Sequence, residues 1–133
     1  MIGKFGNHKV ETPEGKFDSK GEHLRWLYLK DAEARGVISG LRRQVTYQLV
    51  PPVHRFETVQ LKTKSMRVER SWTRAVTYTA DFVYEYDGET IVEDFKGMPN
   101  DRWQMKKALM AFMHGIYVRE VRRPAEPIRK SDI

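Results

Sequence analysis

Residues 81–97 read DFVYEYDGETIVEDFKG, and the Asp87-Gly88 step at their centre constrains the fold more than any other feature. Asp-Gly flanked by alternating apolar residues is the strongest short-range signal for a β-hairpin, because its tight turn demands positive φ. A two-residue loop sets Tyr86 opposite Glu89, Val83 opposite Val92 and Asp81 opposite Asp94. Directly opposed side chains share a face with Cβ atoms roughly 4.5–5.5 Å apart, and like charges so placed repel. A bound cation removes that repulsion. Lys96 lies two residues beyond Asp94 and returns to the same face. The expected result is a compact cluster of Asp81, Asp94 and Lys96, which suits a hard metal ion beside a charged substrate.

At 133 residues the chain is expected to form one domain with a genuine core. Its 40% apolar and 32% charged residues place it with globular rather than disordered proteins. The absence of cysteine excludes disulfides and thiolate metal sites and is compatible with a reducing cytoplasm. No apolar run approaches the roughly 18 residues of a membrane span, and the N-terminus lacks the apolar core of a signal peptide. The net charge of +6 favours polyanionic partners, nucleic acid first and anionic membrane second.

Residues 1–17 hold Gly3, Gly6, Pro13 and Gly15 without periodicity and read as an arm. Ser19 and Glu22 then fit the Ser-x-x-Glu capping box of a helix that stops near Gly36. Its apolar residues spread around the axis, so it is expected to be well buried. Glu22 carries two readings here: the capping-box partner of Ser19, or a third carboxylate delivered to the metal. Residues 44–50 alternate as a strand that Pro51-Pro52 ends. Residues 53–74 carry Arg55, Lys62, Lys64, Arg67, Arg70 and Arg74 against only Glu57 and Glu69, a net +4. Val59, Leu61, Met66 and Val68 suggest two short strands there, a basic hairpin able to grip phosphates with Trp72 available for stacking. The alternative for this segment is a solvated loop.

Residues 76–86 form a long strand and 90–96 return antiparallel to it. Asn100 or Asp101 caps a second helix that runs to about His114, with Met105, Ala108, Leu109 and Phe112 as its packing stripe. Residues 116–121 read as a last strand, and the basic, Pro-broken 122–133 as a flexible tail. This order argues an α/β sandwich around a mixed sheet.

A helix bearing Glu22, then Tyr78-Thr-Ala-Asp81, then Glu93-Asp-Phe-Lys-Gly97 resembles the PD-(D/E)XK nuclease superfamily. FDSKGE at 17–22, LRRQ at 41–44, ADFVY at 80–84 and EDFKG at 93–97 look more specifically like a small phage-borne branch that is compared with Holliday-junction resolvases. The likeness spans about 17–121 and implies a restriction-endonuclease-like core, order α-β-β-β-α-β, with the basic hairpin inserted. It implies that Asp81, Asp94 and the Phe95 carbonyl coordinate Mg²⁺ or Mn²⁺, with Glu22 completing the shell directly or through water. Lys96 would orient or help deprotonate the attacking water, and Gln104 and Lys107 match a supporting position. The implied activity is metal-dependent endonuclease cleavage of duplex or branched DNA, giving 5′-phosphate and 3′-hydroxyl ends. A homodimer and the cytoplasm of a bacterial host would follow.

Glu93 conflicts with simple alternation, which turns it to the opposite face, against Phe82. A lone carboxylate there is costly unless paired. Either a helix cation or an interface meets it, or a bulge makes Glu93 rather than Asp94 the ligand. Asp94 is preferred because it shares a face with Lys96. The rival functions are a non-catalytic nucleic-acid-binding module, a nicking or flap nuclease with the same site, and a structural domain in which Asp81 merely pairs with Lys96. His8, His23, His54 and His114 show no ligand spacing, and neither a phosphate-binding Gly-rich loop nor a nucleophile elbow is present.

Overall fold

The computed structural model describes residues 9–95 and 99–130 and has a mixed α/β architecture with two helices. Its central sheet has four strands in the order β3-β6-β7-β8. The N-terminal segment departs from the expected arm. Val10–Thr12 (β1) and Gly15–Phe17 (β2) form a small antiparallel hairpin. Thr12 Oγ1 closes its turn by donating to the Gly15 carbonyl (3.0 Å) and accepting from Glu14 N–H (3.1 Å). Three-residue strands are too short to display a period, so the sequence could not announce them. Phe17 at its end enters the core, its ring 4.8 Å from that of His23.

Lys20–Ala34 (α1) begins at Ser19, whose side chain accepts from Glu22 N–H, and ends before Gly36 in the left-handed region at φ 78°. Contrary to expectation, this helix is not buried all round. Its buried residues are Glu22, Arg25, Leu29 and Ala32, one stripe at helical spacing, while Leu24 and Leu27 face solvent. Two charged members disguise that stripe in the sequence.

Ser39–Val50 (β3) starts earlier than the alternation indicates, and Val76–Tyr86 (β6) has the expected bounds. β6 pairs antiparallel with Glu89–Phe95 (β7) in the register that Asp-Gly dictates: Tyr86 faces Glu89, Val83 faces Val92 and Phe82 faces Glu93. The turn residues Asp87 and Gly88 take φ 49° and 80°. Asp101–His114 (α2) is capped by the Asn100 side chain on Trp103 N–H and stopped by left-handed Gly115. It leads to Arg119–Val121 (β8), parallel to β7, so only the second half of the expected last strand pairs.

The packing stripe expected for α2 is wrong. Trp103 and Met110 are its buried residues, whereas Met105 is exposed and Phe112 is 84% exposed. Half-buried Lys106 and Lys107 lie between the two anchors, and their charged heads hide the inward face from a hydrophobicity count.

The core cluster gathers Phe17, Leu29, Ala32, Ile38, Phe82, Tyr84, Ile91 and Phe95, with Trp26 stacked on Phe82 (6.0 Å, 15°). Residues 122–130 lack regular structure, as expected, yet they are tied down. Ile128 packs on the core, the Pro124 and Glu126 carbonyls accept from Arg25, and Lys130 pairs with Asp87 (3.0 Å).

Residues 46–79 form a separate compact unit. Within it Val53–Gln60 (β4) and Ser65–Thr73 (β5) pair antiparallel, closed by Leu61 N–H on the Lys64 carbonyl (2.7 Å). This is the hairpin expected around 62–65. Among the described residues, no helix is long and apolar enough to cross a membrane.

Candidate active site

Three local devices bring the acidic residues together. The β6–β7 register, continued one rung beyond Phe82 and Glu93, aligns position 81 with position 94. The Ser19 cap fixes the first turn of α1, where Glu22 sits. Gly21 lets that turn approach the end of β7, since a Cβ there would meet the Phe95 ring at 3.0 Å.

Glu22 is 4% exposed. Its N–H donates to Ser19 Oγ (3.1 Å), so half of the capping box forms. Its carboxylate accepts from Asp18 N–H (3.4 Å) and shares a hydrogen bond with Asp81. The two readings of Glu22 therefore coexist: the backbone caps the helix and the side chain meets the strand. Asp81 also accepts from the Phe95 N–H at Oδ2 (2.8 Å) and from Gln44 Nε2 at Oδ1 (3.4 Å).

Burial first, and then the charges of Asp81 and Asp18, push the Glu22 carboxyl up to about 8. Burial also raises Asp81, against the opposing bonds from Phe95, Glu22 and Gln44. Two such carboxyls in contact retain one proton between them near neutral pH, and that proton belongs to the pair.

Glu93 lies outside this cluster. It is fully buried, and Arg25 grips it with a fork: Nε to Oε1 at 2.9 Å and Nη2 to Oε2 at 2.7 Å. The Tyr84 hydroxyl also donates to Oε2. Burial and the neighbouring Glu93 charge raise the Tyr84 pKa, which keeps the hydroxyl a donor. Both oxygens of Glu93 are thus committed to a buried ion pair, and the helix-cation alternative accounts for it. Of the two candidates for second ligand, half-buried Asp94 is the one whose register position, by continuation of the ladder, falls opposite position 81.

Asp94 has Glu120 as its parallel partner on β8. Burial works to raise the Glu120 carboxyl. Lys107 (2.9 Å) and the Trp103 indole N–H (3.1 Å) outweigh it and hold the carboxyl below its usual range. Lys107 therefore meets an acid next to Asp94, while exposed Gln104 lines an open cleft of about 350 Å³ with Lys107, Ala108, Tyr117 and Val118. Lys96 lies outside the described residues. Among those described, no three His, Asp or Glu side chains converge as a metal-binding group.

A family model described as "Protein of unknown function (DUF1064)" matches residues 2–123. The chain belongs to the DUF1064 family. No curated protein and no solved structure matches it.

In this DUF1064 chain the residues expected to grip DNA divide three ways. Arg70 and Arg55 both pair with Glu57 (2.8 and 3.7 Å), so part of the hairpin's charge is neutralised within it. Arg55 also lies over the Trp72 ring (4.5 Å), and Arg67 over the Phe56 ring (4.7 Å). Lys62, Lys64 and Arg74 are exposed.

Sequence reasoning missed three residues that bear on this acidic cluster. Gln44 holds φ 52° inside a strand, where a left-handed residue costs about 1–2 kcal/mol, and its amide reaches Asp81. Nothing in an alternating run marks such a position. Glu120 was legible only by assuming that β8 runs parallel to β7. Arg25 sits one turn after Glu22, and that spacing alone could have suggested it.

Proposed function

We propose that this protein is a Mg²⁺- or Mn²⁺-dependent endonuclease with a restriction-endonuclease-like core, acting on branched DNA. One observation carries the reading: buried Glu22 and half-buried Asp81 hold their carboxyls in hydrogen-bond contact at the end of the strand that bears Asp94. Such a pair is unfavourable for folding and chemically useful once a cation replaces the shared proton. The donor chemistry fits Mg²⁺, which keeps several waters and needs only one or two carboxylates plus substrate phosphate. Asp81 and Asp94 would hold the ion, with Glu22 and the Phe95 carbonyl as further oxygen donors. When bound, it polarises the scissile phosphate and lowers the pKa of its water.

The chain's own residues would supply the rest. Glu22 would give up the shared proton once a cation neutralises its partner carboxylate, leaving an oxygen donor beside the ion. The Phe95 N–H on β7 and the Gln44 amide on β3 fix the two oxygens of Asp81 between them. Lys96, directly after Phe95, would orient the attacking water. Cutting a nearly symmetric junction on two strands favours a twofold dimer. The exposed apolar side of α2 at Met105, Phe112 and Met113 is a surface of the kind that association covers.

The lack of three converging acidic side chains among the described residues favours a second reading, a DNA-binding module without catalysis. Cleavage of four-way junctions, flaps, linear duplex and single strands, with and without Mg²⁺, separates the two. The nuclease reading expects Mg²⁺-dependent cutting that Asp81→Asn abolishes while DNA binding persists. Loss of cutting and binding together would give Asp81 a structural role, and no cutting of any substrate would leave the binding module.

A further inference from the structure

We propose that the β4–β5 ribbon is a wedge that enters DNA where two strands separate, with one unpaired strand stacked on each of its faces. The inference deepens the DNA reading above but rests on a different part of the chain.

Arg55 and Phe56 are consecutive in β4 and so project to opposite faces. Trp72 lies under the Arg55 guanidinium, 4.5 Å from ring centroid to Cζ. Arg67, paired across the ladder with Thr58, shares the parity of Phe56 and covers that ring at 4.7 Å. The ribbon therefore carries one aromatic–arginine pair on each side. Phe56 and Trp72 remain 56% and 59% exposed, so each ring keeps a face for another flat group.

A two-stranded ribbon wetted on both sides is marginal in water, and large exposed apolar side chains add to the cost. Val53 and Met66 on the strands and Leu61 in the turn are exposed as well. A ligand that covers both faces would remove this cost. The surrounding charge selects its chemistry. Lys62 and Lys64 occupy the turn, Arg74 follows β5, and the segment is net positive, so the complementary ligand is a polyanion with π-faces. Paired bases inside a duplex offer no free face to Phe56 or Trp72. Unpaired bases do, and stacking on an aromatic ring contributes about 1–3 kcal/mol per base. Two platforms back to back match two strands that part around the ribbon.

The test compares the full chain on a forked duplex and a fully paired duplex, by fluorescence anisotropy without divalent cation. The Phe56→Ala/Trp72→Ala double variant should lose roughly ten-fold or more on the fork and less than about two-fold on the duplex. Lys62→Ala/Lys64→Ala should weaken both alike and reduce the salt dependence. With 2-aminopurine at the first unpaired position of either arm, the wild type should quench both. Trp72→Ala should release one arm and Phe56→Ala the other, with Trp72→Phe and Phe56→Tyr restoring the quench.

Equal losses on fork and duplex, both variants acting on one arm, or no quench in the wild type would overturn the wedge. So would aromatic variants that dissociate a dimer and leave fork binding unchanged, which would make the ribbon a protein interface. Arm-specific quenching without any Mg²⁺-dependent cutting supports the wedge and defeats the nuclease. Cutting without quenching does the reverse.

Discussion

Helix α1 meets the sheet through two acidic contacts one turn apart, and they are opposites. At Arg25–Glu93 a buried carboxylate receives two guanidinium bonds and a tyrosine hydroxyl, while the Pro124 and Glu126 carbonyls accept from the remaining Nη1. At Glu22–Asp81 two acids face each other with a long glutamine bond, a weak backbone bond and one good backbone N–H. The first site satisfies its charges internally. The second leaves a deficit that only a proton or an external cation removes. Arg25 and Glu93 are fully buried, and Glu22 nearly so beside a half-buried Asp81, so the chief difference lies in the partners. A fold that completes one buried acid and leaves its neighbour incomplete separates the residue that holds the helix from the residues available for chemistry.

The largest expected effect breaks the satisfied contact. Arg25→Ala leaves Glu93 buried and unpaired and should cost about 3–5 kcal/mol, read by urea or thermal unfolding. Arg25→Met with Glu93→Leu should recover much of that loss, since an apolar pair of similar volume carries no desolvation penalty. If Arg25→Ala proved nearly neutral, the contrast between the two sites would fail.

The next effect concerns the unsatisfied pair. With Glu22 held near 8 in the folded state, against 4.5 as its ordinary value, the native protein binds more protons than the unfolded chain between those values. The stability contribution is therefore greatest below pH 4.5 and is lost as pH rises through 8. Inside that window stability should fall by up to about 1.4 kcal/mol for each pH unit. Glu22→Gln should flatten this slope in denaturation curves taken from about pH 5 to about pH 9.

A smaller effect sharpens the same point. Mg²⁺ at about 100 times its dissociation constant should stabilise the protein by about 2.7 kcal/mol, and chelation should remove the gain. The gain should shrink at about pH 6, where the shared proton competes, and vanish in Asp81→Asn. A Mg²⁺ effect that persists in Asp81→Asn would place the ion elsewhere.

The smallest change concerns Gln44. Gln44→Gly relieves about 1–2 kcal/mol of left-handed strain and loses only a 3.4 Å bond, so the protein should become slightly more stable by thermal unfolding. On the proposed nuclease reading, cutting should weaken because Asp81 loses a group that orients it. Unchanged cutting would leave Gln44 no role in orienting Asp81.

Residues with local instructions were legible. Asp87-Gly88 set the β6–β7 register, Ser19 and Asn100 marked helix starts, and Gly36 and Gly115 marked stops. Each signal acts within a few residues of chain. Facing directions were harder to read. The expected α2 stripe of Met105, Ala108, Leu109 and Phe112 gave way to Trp103 and Met110, and Leu24 and Leu27 turned outward on α1. In both helices the inward face includes charged residues, so hydrophobicity pointed elsewhere. The tail was read as loose because nothing near it announces Arg25.

By itself the amino-acid sequence determined where both helices and the long strands lie and how the Asp-Gly hairpin is registered. The tertiary structure alone decided which acid is neutralised and which is left wanting. Glu93 finds its guanidinium 68 residues away, and Glu22 finds Asp81 across a gap that only packing closes. Electrostatic cost depends on distance through space, and a linear pattern contains no such distance.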